Sequence, residues 1–340
     1  MKDTPTNKIL LAHGGGGRLT ANLISNNILP KFSNEILAQL ADAASLELDS
    51  PAVCFTTDSY VVKPLFFNGG DIGKLAVCGT INDLAVAGAK PVALSLSMII
   101  EEGFELGVLD KILASAAEAA DGAEVSIVAG DTKVVETGAA DGIFINTAGL
   151  GTKLPDVNLS FGRIAPGDKI IINGTIGDHG MTIMSQREGI KFESQLASDC
   201  ASLAPLTCRI LEAAPGVKFM RDPTRGGLAA TVNEIANSTG HSIELYEKDI
   251  PIKPAVQAAA DMLGFDLLDI ANEGKVVIVT APDTAEKVLD VCKGHPLGAG
   301  AGIIGEVAQS EDGPIVELIT KVGGRRIVQM PYGRELPRIC

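Results

Sequence analysis

The sequence predicts a mixed protein of the α/β or α+β class with two domains. Apolar stretches with strand-like and helix-like spacing alternate along the chain, without a short internal repeat. The 340 residues exceed the length of about 250–300 residues at which a single hydrophobic core stops growing. Residues 152–168 carry two prolines and two glycines between two long patterned halves. We therefore expect a first domain over residues 1–154 and a second over residues 155–328.

Hydrophobic periodicity assigns the elements in chain order. β-Branched residues predict a strand at 53–62, helical spacing predicts a helix at 72–88, and an alanine-rich pattern predicts a helix at 106–120. Further strands of the first half are predicted at 91–100, 124–129 and 142–150. In the second half we predict strands at 169–172, 276–280 and 302–308, and helices at 180–188, 200–213 and 226–239.

Composition excludes several functional classes. The net charge of −14 argues against binding to duplex nucleic acid or to an anionic membrane surface. Because the longest apolar stretches are far too short to span a bilayer, we expect a cytoplasmic protein. The six cysteines form no CxxC pair and the four histidines lie far apart, so a structural zinc site is not expected.

Acidic residues follow or interrupt the apolar strands. They are Asp42, Asp58, Asp71, Asp83, Asp131 and Asp222. Carboxylate oxygens suit Mg²⁺, and Mg²⁺ held by one or two carboxylates and by substrate phosphates is a common way to bind ATP. Taken singly, each aspartate can equally be a turn former or a helix cap. Their collective placement favours a nucleotide site.

Three short motifs support a site for phosphates. Residues 130–133, Gly-Asp-Thr-Lys, combine a carboxylate, a hydroxyl and an ammonium after a predicted strand, although a plain polar loop would look the same. Residues 222–227 precede an apolar helix whose free N–H groups can face an anion, unless Asp222 or Thr224 simply caps it. The glycines of 13–18 let the backbone approach phosphates, or merely make a mobile loop. The chain carries no P-loop, and no GxGxxG motif follows a predicted strand.

The last residues, 329–340, are predicted to form a flexible arm that ends in a reactive thiol. Pro331, Gly333 and Pro337 oppose helix formation, and about ten extended residues reach roughly 33 Å. Cys340 can therefore reach a distant active site. The alternative is a frayed terminus, since chain ends are often disordered.

These motifs together resemble the HypE family of hydrogenase maturation factors over essentially the whole chain. The segments that carry the resemblance are residues 13–18, 57–62, 64–70, 82–83, 130–135, 177–180, 222–227, 272–275 and 337–340. The family belongs to the PurM-like superfamily of aminoimidazole ribonucleotide synthetase, selenophosphate synthetase and thiamine-monophosphate kinase. The resemblance implies an N-terminal domain that forms a β-barrel across a homodimer, and an α+β C-terminal domain that closes an ATP cleft.

The resemblance also implies a substrate that is attached to the chain itself. A partner, HypF, would load a carbamoyl group onto Cys340, and ATP with Mg²⁺ would then drive its dehydration to an S-cyanide. The cyanide would pass to iron on the HypC–HypD complex for the assembly of [NiFe]-hydrogenase.

Residue roles follow from the same similarity. The implied metal ligands are Asp42, Asp58, Asp83 and Asp131. The implied ATP-binding residues are Gly15, Gly16, Asp58, Asn82, Asp83, Gly130, Asp131, Thr132, Asp222, Thr224, Arg225 and Gly226. Lys133 and Glu273 are implied to remove the protons, which requires a lowered lysine pKa or a raised glutamate pKa. Otherwise the two residues form a salt bridge at the mouth of the cleft.

Two alternatives remain open at this point. A small-molecule kinase or synthetase of the same superfamily would share the aspartates but would not use the segment 337–340. Selenophosphate synthetase would carry a cysteine near its N-terminal glycine loop, where this chain has His13 and Arg18. A non-enzymatic docking protein would show no Mg²⁺-dependent nucleotide turnover.

Overall fold

The computed structural model describes residues 8–14, 18–32, 34–39, 44, 46–190, 196–310, 313–331 and 338–340. Within these ranges the chain forms two α+β units in sequence, each with a sheet and helices packed against it. All described helices are too short or too polar to cross a lipid bilayer.

The first unit is built on a four-stranded sheet with the strand order β1-β6-β4-β5. Its elements are α1 (Arg18–Leu23), β1 (Val53–Tyr60), β2 (Phe66–Phe67), β3 (Gly70–Asp71), α2 (Ile72–Val86), β4 (Ala89–Glu101), α3 (Leu106–Gly122), β5 (Ser126–Val135) and β6 (Ile143–Lys153). Asp71 caps α2, because its carboxylate accepts from the N–H groups of Gly73 and Lys74. Helix α2 is buried over most of its length, since it packs against the sheet and α3 on one side and against the second unit on the other.

The opposite face of this sheet is open. Phe55 is 70% exposed and Ile99 is 45% exposed, and both point away from the helices. Because paired residues lie on the same face of a sheet, the pairs of Ser97 with Asp131 and of Ile99 with Lys133 place these two charged residues on the open face too.

One strand boundary was predicted wrongly. The sequence suggested that a strand ends before Gly130, but β5 continues to Val135 because its ladder with β4 extends to Glu101. Residues 130–133 therefore lie inside a strand. They do not form a loop, as both sequence interpretations had assumed. A Cβ at Gly130 would meet the carbonyl oxygen of Leu96 at 2.4 Å, so this glycine permits the close approach of the two strands.

The second unit contains a seven-stranded, mostly antiparallel sheet with the order β13-β12-β9-β11-β7-β10-β8. Its elements are β7 (Lys169–Ile172), α4 (Asp178–Arg187), α5 (Ala204–Ala213), β8 (Val217–Arg221), α6 (Gly227–Thr239), β9 (Ser242–Tyr246), α7 (Pro254–Leu263), β10 (Val277–Thr280), α8 (Ala285–Lys293), β11 (Gly302–Ala308), β12 (Val316–Ile319) and β13 (Arg325–Ile327). The prevalence of antiparallel pairs makes the fold α+β.

The two units share part of their cores. Ile183, Cys200 and Ala204 of the second unit belong to the same buried apolar cluster as α2 and β4 of the first. Ile339 lies in that cluster as well, so the end of the chain returns to the junction between the units.

Candidate functional site

A cavity of about 800 Å³ lies at the junction of the two units. The residues of interest that line it are Asp58, Tyr60, Asp83, Asp222, Thr224, Arg225, Glu273 and Cys340. They come from β1, from α2, from the loop between β8 and α6, from the loop before β10 and from the chain end. Residues far apart in sequence therefore meet in one space.

The carboxylates of Asp58 and Asp83 lie side by side in this cavity. The two carboxylates are close enough to repel each other, and the hydroxyl of Thr56 donates to Oδ2 of Asp83 at 2.7 Å. Burial, and next the charge of Asp83, raise the pKa of Asp58 to about 6. Burial and the same charge raise the pKa of Asp222 to about 7. The cavity thus holds an excess of negative charge that a cation would relieve.

This donor set fits Mg²⁺ bound together with phosphates. Within the described ranges, no three His, Cys, Asp or Glu side chains converge closely enough to hold a metal ion by themselves. Mg²⁺ commonly takes only one or two carboxylates and completes its shell with water and substrate phosphates. Asp58 and Asp83, with their unrelieved repulsion, supply such a pair.

Tyr60 lies between Asp58 and a pair of buried threonine hydroxyls. Thr147 donates to the carbonyl of Ala76 at 3.0 Å, so the hydroxyl of Thr80 donates to Thr147. The phenol of Tyr60 lies 3.5 Å from the hydroxyl of Thr80 and 3.4 Å from Oδ2 of Asp58. Its single proton can go to only one of these two oxygens. The sequence reasoning missed it, although it stands in the quoted segment 57–62.

Glu273 is buried against the cavity wall. Burial raises its pKa well above 4.5, and the charges of Asp199 and Asp222 raise it further. Among the described residues no group bonds its Oε1 atom. Burial thus favours the protonated carboxyl, and the rise of its pKa has the direction that a base near neutral pH requires.

The backbone of Glu273 is fixed from behind by a buried ion pair. Asp199 accepts from the N–H of Glu273 at 3.1 Å and from the ammonium of Lys275 at 2.8 Å. Burial opposes ionisation of Asp199, but Lys275 and His179 outweigh it and lower the pKa overall. No sequence signal distinguished Asp199 from other loop aspartates.

The chain end is docked inward. Cys340 is half-buried at the cavity, close to Glu273, Arg225 and Asp58. Burial raises the pKa of its thiol to about 12; Glu273 and Asp58 add to the rise and Arg225 opposes it. Residues 338–340 are therefore ordered against the body of the protein, and the thiol is held in its protonated form.

Asp131, Thr132 and Lys133 are not brought to this cavity within one chain. They line a second, mainly apolar pocket of about 250 Å³ between β4, β5 and the N-terminal helices. Lys133 pairs with Asp131 at 2.9 Å on the exposed face, so it makes no salt bridge across the cavity mouth. Within one chain Asp131 lies apart from Asp58 and Asp83, because two strands separate β1 from β5.

The side chain of Asn82 is buried and hydrogen-bonded to the second unit. Its amide donates to the carbonyls of Ala201 and Glu273, both at 3.0 Å, and its oxygen accepts from the N–H of Leu203 at 2.7 Å. All of these partners belong to the second unit. The sequence predicts that Asn82 contacts ATP, but in the structure its amide group is already used in hydrogen bonds that join the two units.

In the loop before α6, neither Asp222 nor Thr224 caps the helix, in contrast to the alternative considered from the sequence. Gly226, with φ +75°, is the N-cap residue, and in this described segment no side chain caps the helix. Asp222 and Thr224 therefore keep their side chains on the cavity wall. A Cβ at Gly227 would meet the carbonyl oxygen of Leu268 at 2.5 Å, which explains the second glycine. Gly15, Gly16 and Asp42 lie outside the described residues.

The wall of the cavity also carries apolar and aromatic side chains. The ring centroids of Phe161 and Phe219 lie 4.4 Å apart, and Leu159 and Val86 line the same cavity. A cavity lined by both flat apolar groups and carboxylates suits a ligand that joins a planar base to phosphates.

Comparisons with known proteins agree with this geometry. The model of the N-terminal domain of AIR synthase related proteins matches residues 40–152, and the model of their C-terminal domain matches residues 165–316. The chain is 50% identical to the carbamoyl dehydratase HypE of Bradyrhizobium diazoefficiens over 97% of this chain and 95% of that protein.

Two solved structures are similar over nearly the whole chain. A hydrogenase maturation protein HypE in complex with ATP superposes with a TM-score of 0.94 at 44% identity, covering 97% of this chain and 99% of that one. HypE in a HypE–HypF complex gives a TM-score of 0.80 at 48% identity, with 91% and 99% coverage.

Proposed function

The chain belongs to the HypE family of carbamoyl dehydratases within the PurM-like superfamily, and we propose that it dehydrates an S-carbamoyl group on its own Cys340 to an S-cyanide. The observation that carries the proposal is the position of Cys340 in one cavity with Asp58, Asp83 and Glu273. The alternative of a small-molecule kinase or synthetase does not fit, because a carbamoyl dehydratase matches the chain at 50% identity over 97% of its length.

The reaction needs ATP because the oxygen of a carboxamide is a poor leaving group. Attack of this oxygen on the γ-phosphorus of ATP releases ADP and one proton and makes the oxygen part of a phosphate ester. The carbon–oxygen bond then breaks, phosphate leaves, and the second nitrogen-bound proton is lost as the C≡N bond forms. The thiocarbamate and ATP thus give thiocyanate, ADP and phosphate without any oxidant or reductant.

Asp58 and Asp83 would hold Mg²⁺ with the triphosphate, and the ion would supply charge neutralisation for phosphoryl transfer. Arg225 lies close enough to Asp58 and Cys340 to lower the pKa of both, so it can orient the anionic phosphate toward the carbamoyl oxygen. The aromatic pair of Phe161 and Phe219 would receive the adenine.

Glu273 would accept the proton from nitrogen. Two causes of its raised pKa are the negative charges of Asp222 and Asp58. When cations compensate these charges, the pKa of Glu273 falls toward neutral pH, where the carboxylate accepts a proton most effectively. The bonds of Asp199 to the backbone of Glu273 keep this residue in place.

A second copy of the chain would complete the site. The open face of the first sheet exposes Phe55 and Ile99, and it also carries Asp131 and Lys133. Burial of this face in a homodimer with a shared barrel would remove the apolar surface from water. It would also let one protomer offer Asp131, Thr132 and Lys133 to the cavity of the other.

Mixed dimers test the shared site. Subunits with Lys133→Ala and subunits with Cys340→Ala are each expected to be inactive, and a mixture should regain activity if Lys133 acts on the neighbouring cavity. If Lys133 acts within its own chain, the mixed dimer has no complete site and stays inactive. That result would refute the shared site.

We further infer the partners. A HypE–HypF complex is among the similar structures, so HypF would load the carbamoyl group onto Cys340. The HypC–HypD complex would accept the cyanide. Gln329 and Met330 at the start of the tail are exposed, and release of residues 338–340 would let Cys340 leave the cavity for both transfers.

Mass spectrometry of the C-terminal peptide tests the function. Cys340 is carbamoylated by HypF or with cyanate and then incubated with and without Mg-ATP. We expect the loss of one water only with Mg-ATP, and little loss in Asp83→Asn. An unchanged carbamoyl mass in protein that binds nucleotide would contradict the proposal and favour a small-molecule substrate.

A further inference from the structure

The last three residues occupy a groove between the two units. On one side they run beside Val61–Lys63, which directly follow β1. The N–H of Val61 donates to the carbonyl of Cys340 at 3.0 Å, and the N–H of Lys63 donates to the carbonyl of Arg338 at 3.3 Å. Backbone pairing of this kind is how extended peptides add to the end of a strand.

Helix α4 of the second unit forms the other side of the groove. The Nε2 atom of His179 donates to the carbonyl of Ile339 at 2.8 Å. The guanidinium of Arg187 donates to the carbonyl of Arg338. The carbonyls of all three tail residues are therefore bonded by the body of the protein, and both units take part.

The hydrogen bonds determine the tautomer of His179. The carbonyl of Ile339 can only accept, so Nε2 carries a proton. Burial lowers the pKa of His179 and so favours the neutral imidazole. In that form Nδ1 accepts, and the hydroxyl of Ser198, 2.8 Å away, donates to it.

The groove also contacts the side chains of the tail. The guanidinium of Arg338 donates to the carboxylate of Asp141 and, at 2.8 Å, to the carbonyl of Val61, and it lies 5.7 Å from the ring centre of Phe144. Ile339 is only 4% exposed. Arg338 has φ +52°, a left-handed conformation that is unusual for arginine and that these contacts hold in place.

We propose that this groove is a binding site for a peptide that ends in Arg-Ile-Cys, and that it accepts a separate peptide as well as the chain's own tail. The proposed function is the basis of this inference. Every described contact is made by residues 338–340 themselves. The covalent connection would then supply effective concentration, which is in the millimolar range for short flexible links.

The separate peptide would undergo the same balanced step. A peptide with S-carbamoyl cysteine would lose its carboxamide oxygen to the phosphate from ATP, release two nitrogen-bound protons and become a thiocyanate. His179, Arg187 and Asp141 would act as positioning residues, because they hold the peptide and do not touch the reacting atoms.

The test uses the full-length chain with its own tail disabled by Arg338→Ala, Ile339→Ala and Cys340→Ser. The probe is the peptide Leu-Pro-Arg-Ile-Cys, carbamoylated on sulfur with cyanate and incubated with Mg-ATP. We expect the peptide to lose one water, with half-maximal rate at about 1 mM peptide. A peptide with Ala in place of Arg should need about a tenfold higher concentration to reach the same rate, because the ion pair with Asp141 is lost.

Substitutions in the groove separate positioning from folding. In the same background, Asp141→Asn and His179→Ala should each raise the half-saturating peptide concentration about tenfold and change the maximal rate less. His179→Gln keeps a side-chain N–H donor and should recover part of the loss. Asp261→Asn, an exposed carboxylate on α7 that only bonds Gln257, is the matched control and should change nothing.

A second measurement uses the unaltered chain. The peptide Leu-Pro-Arg-Ile-Ala, added at millimolar concentration, should displace the docked tail and speed the alkylation of Cys340. The inference is overturned if neither peptide effect occurs while the unaltered protein dehydrates its own carbamoylated tail. Failure of the unaltered protein to dehydrate its own tail would instead overturn the proposed function.

Discussion

The imidazole of His179 and the carbonyl of Ile339 form a 2.8 Å hydrogen bond across 160 positions of sequence. Both groups are buried, and the bond joins the first turn of α4 to the last residues of the chain. The position of Cys340 at the cavity therefore depends on a side chain of the second unit that has no contact with the carboxylates of the first.

The thiol of Cys340 should react slowly while the tail is docked. Because its pKa is raised to about 12, the thiolate fraction at pH 8 is about a thousandfold below that of an ordinary cysteine. Alkylation with iodoacetamide, followed by peptide mass, measures the rate. Ile339→Asp removes a buried apolar anchor and should accelerate the reaction at least a hundredfold.

Cys208 serves as the internal reference in this experiment, because it is half-buried on α5 and is not among the residues that line the cavity of Cys340. Its alkylation rate should be the same with and without Ile339→Asp. Equal rates for Cys340 in both proteins would contradict the docked state.

The stability of the protein should fall with pH below about 6.5 through His179. Burial lowers the pKa of this histidine from 6.5, with Arg187 acting in the same direction and Asp199 and the Ile339 carbonyl against it. The unfolded chain then binds a proton near pH 6.5 that the folded chain binds only at lower pH. Unfolding is therefore favoured increasingly as the pH drops through that window.

Urea unfolding of the parent and of His179→Gln between pH 8 and pH 5 measures this effect. The variant should lose about 1–2 kcal/mol at pH 8 through the altered hydrogen bonds, and the gap should narrow toward pH 5. His241→Gln, at a half-buried position outside the groove, is the control. A stability difference between the two proteins that stays constant from pH 8 to pH 5 would refute the role of His179 in the pH dependence.

Asp83→Asn should impair the ATP-dependent loss of water from the carbamoylated tail at least a hundredfold, because one of two adjacent carboxylates no longer binds cationic partners. The shape of the side chain and its contact with Thr56 are largely kept, so stability should change little. The mass of the C-terminal peptide gives the rate. Asp261→Asn should behave as the parent, and an active Asp83→Asn would exclude this carboxylate from the site.

Asn82→Ala should weaken the junction between the two units. The change removes three hydrogen bonds and takes the partner from the half-buried carbonyl of Ala201, the buried carbonyl of Glu273 and the buried N–H of Leu203, at a cost of about 3 kcal/mol. Calorimetry should show a lower Tm and a wider separation of the two domain transitions. Asn237→Ala, at an exposed position on α6, is the matched control.

Unchanged stability with lost ATP binding in Asn82→Ala would contradict the structural role of this residue. It would support the role that the family resemblance implied.

Several elements were predictable because their signal is local. The strand 169–172 and the strand 302–308 are found at the predicted residues, since each is an apolar run bounded by turn residues. The short strands β8 and β9 and the helices α7 and α8 were not predicted. Their patterns are too short or too mixed to be distinguished before they pack.

The site was partly predictable for the same reason. Asp58, Asp83 and Asp222 follow or interrupt apolar elements, and the structure gathers them in one cavity with Glu273 and Cys340. Asp131 has the same local signal, but it lies on the far edge of the sheet. A sequence pattern indicates that a carboxylate follows a strand, and it does not indicate which strand lies beside it.

The sequence by itself determined the mixed class of helices and strands, the family and the thiol at the end of the chain. Only the tertiary structure decided that His179 holds the tail, that Asn82 joins the two units and that burial keeps the thiol of Cys340 protonated. The physical reason is the range of the interactions. Periodicity records which face of an element is buried, whereas hydrogen bonds and pKa shifts depend on distances between segments that only packing brings together.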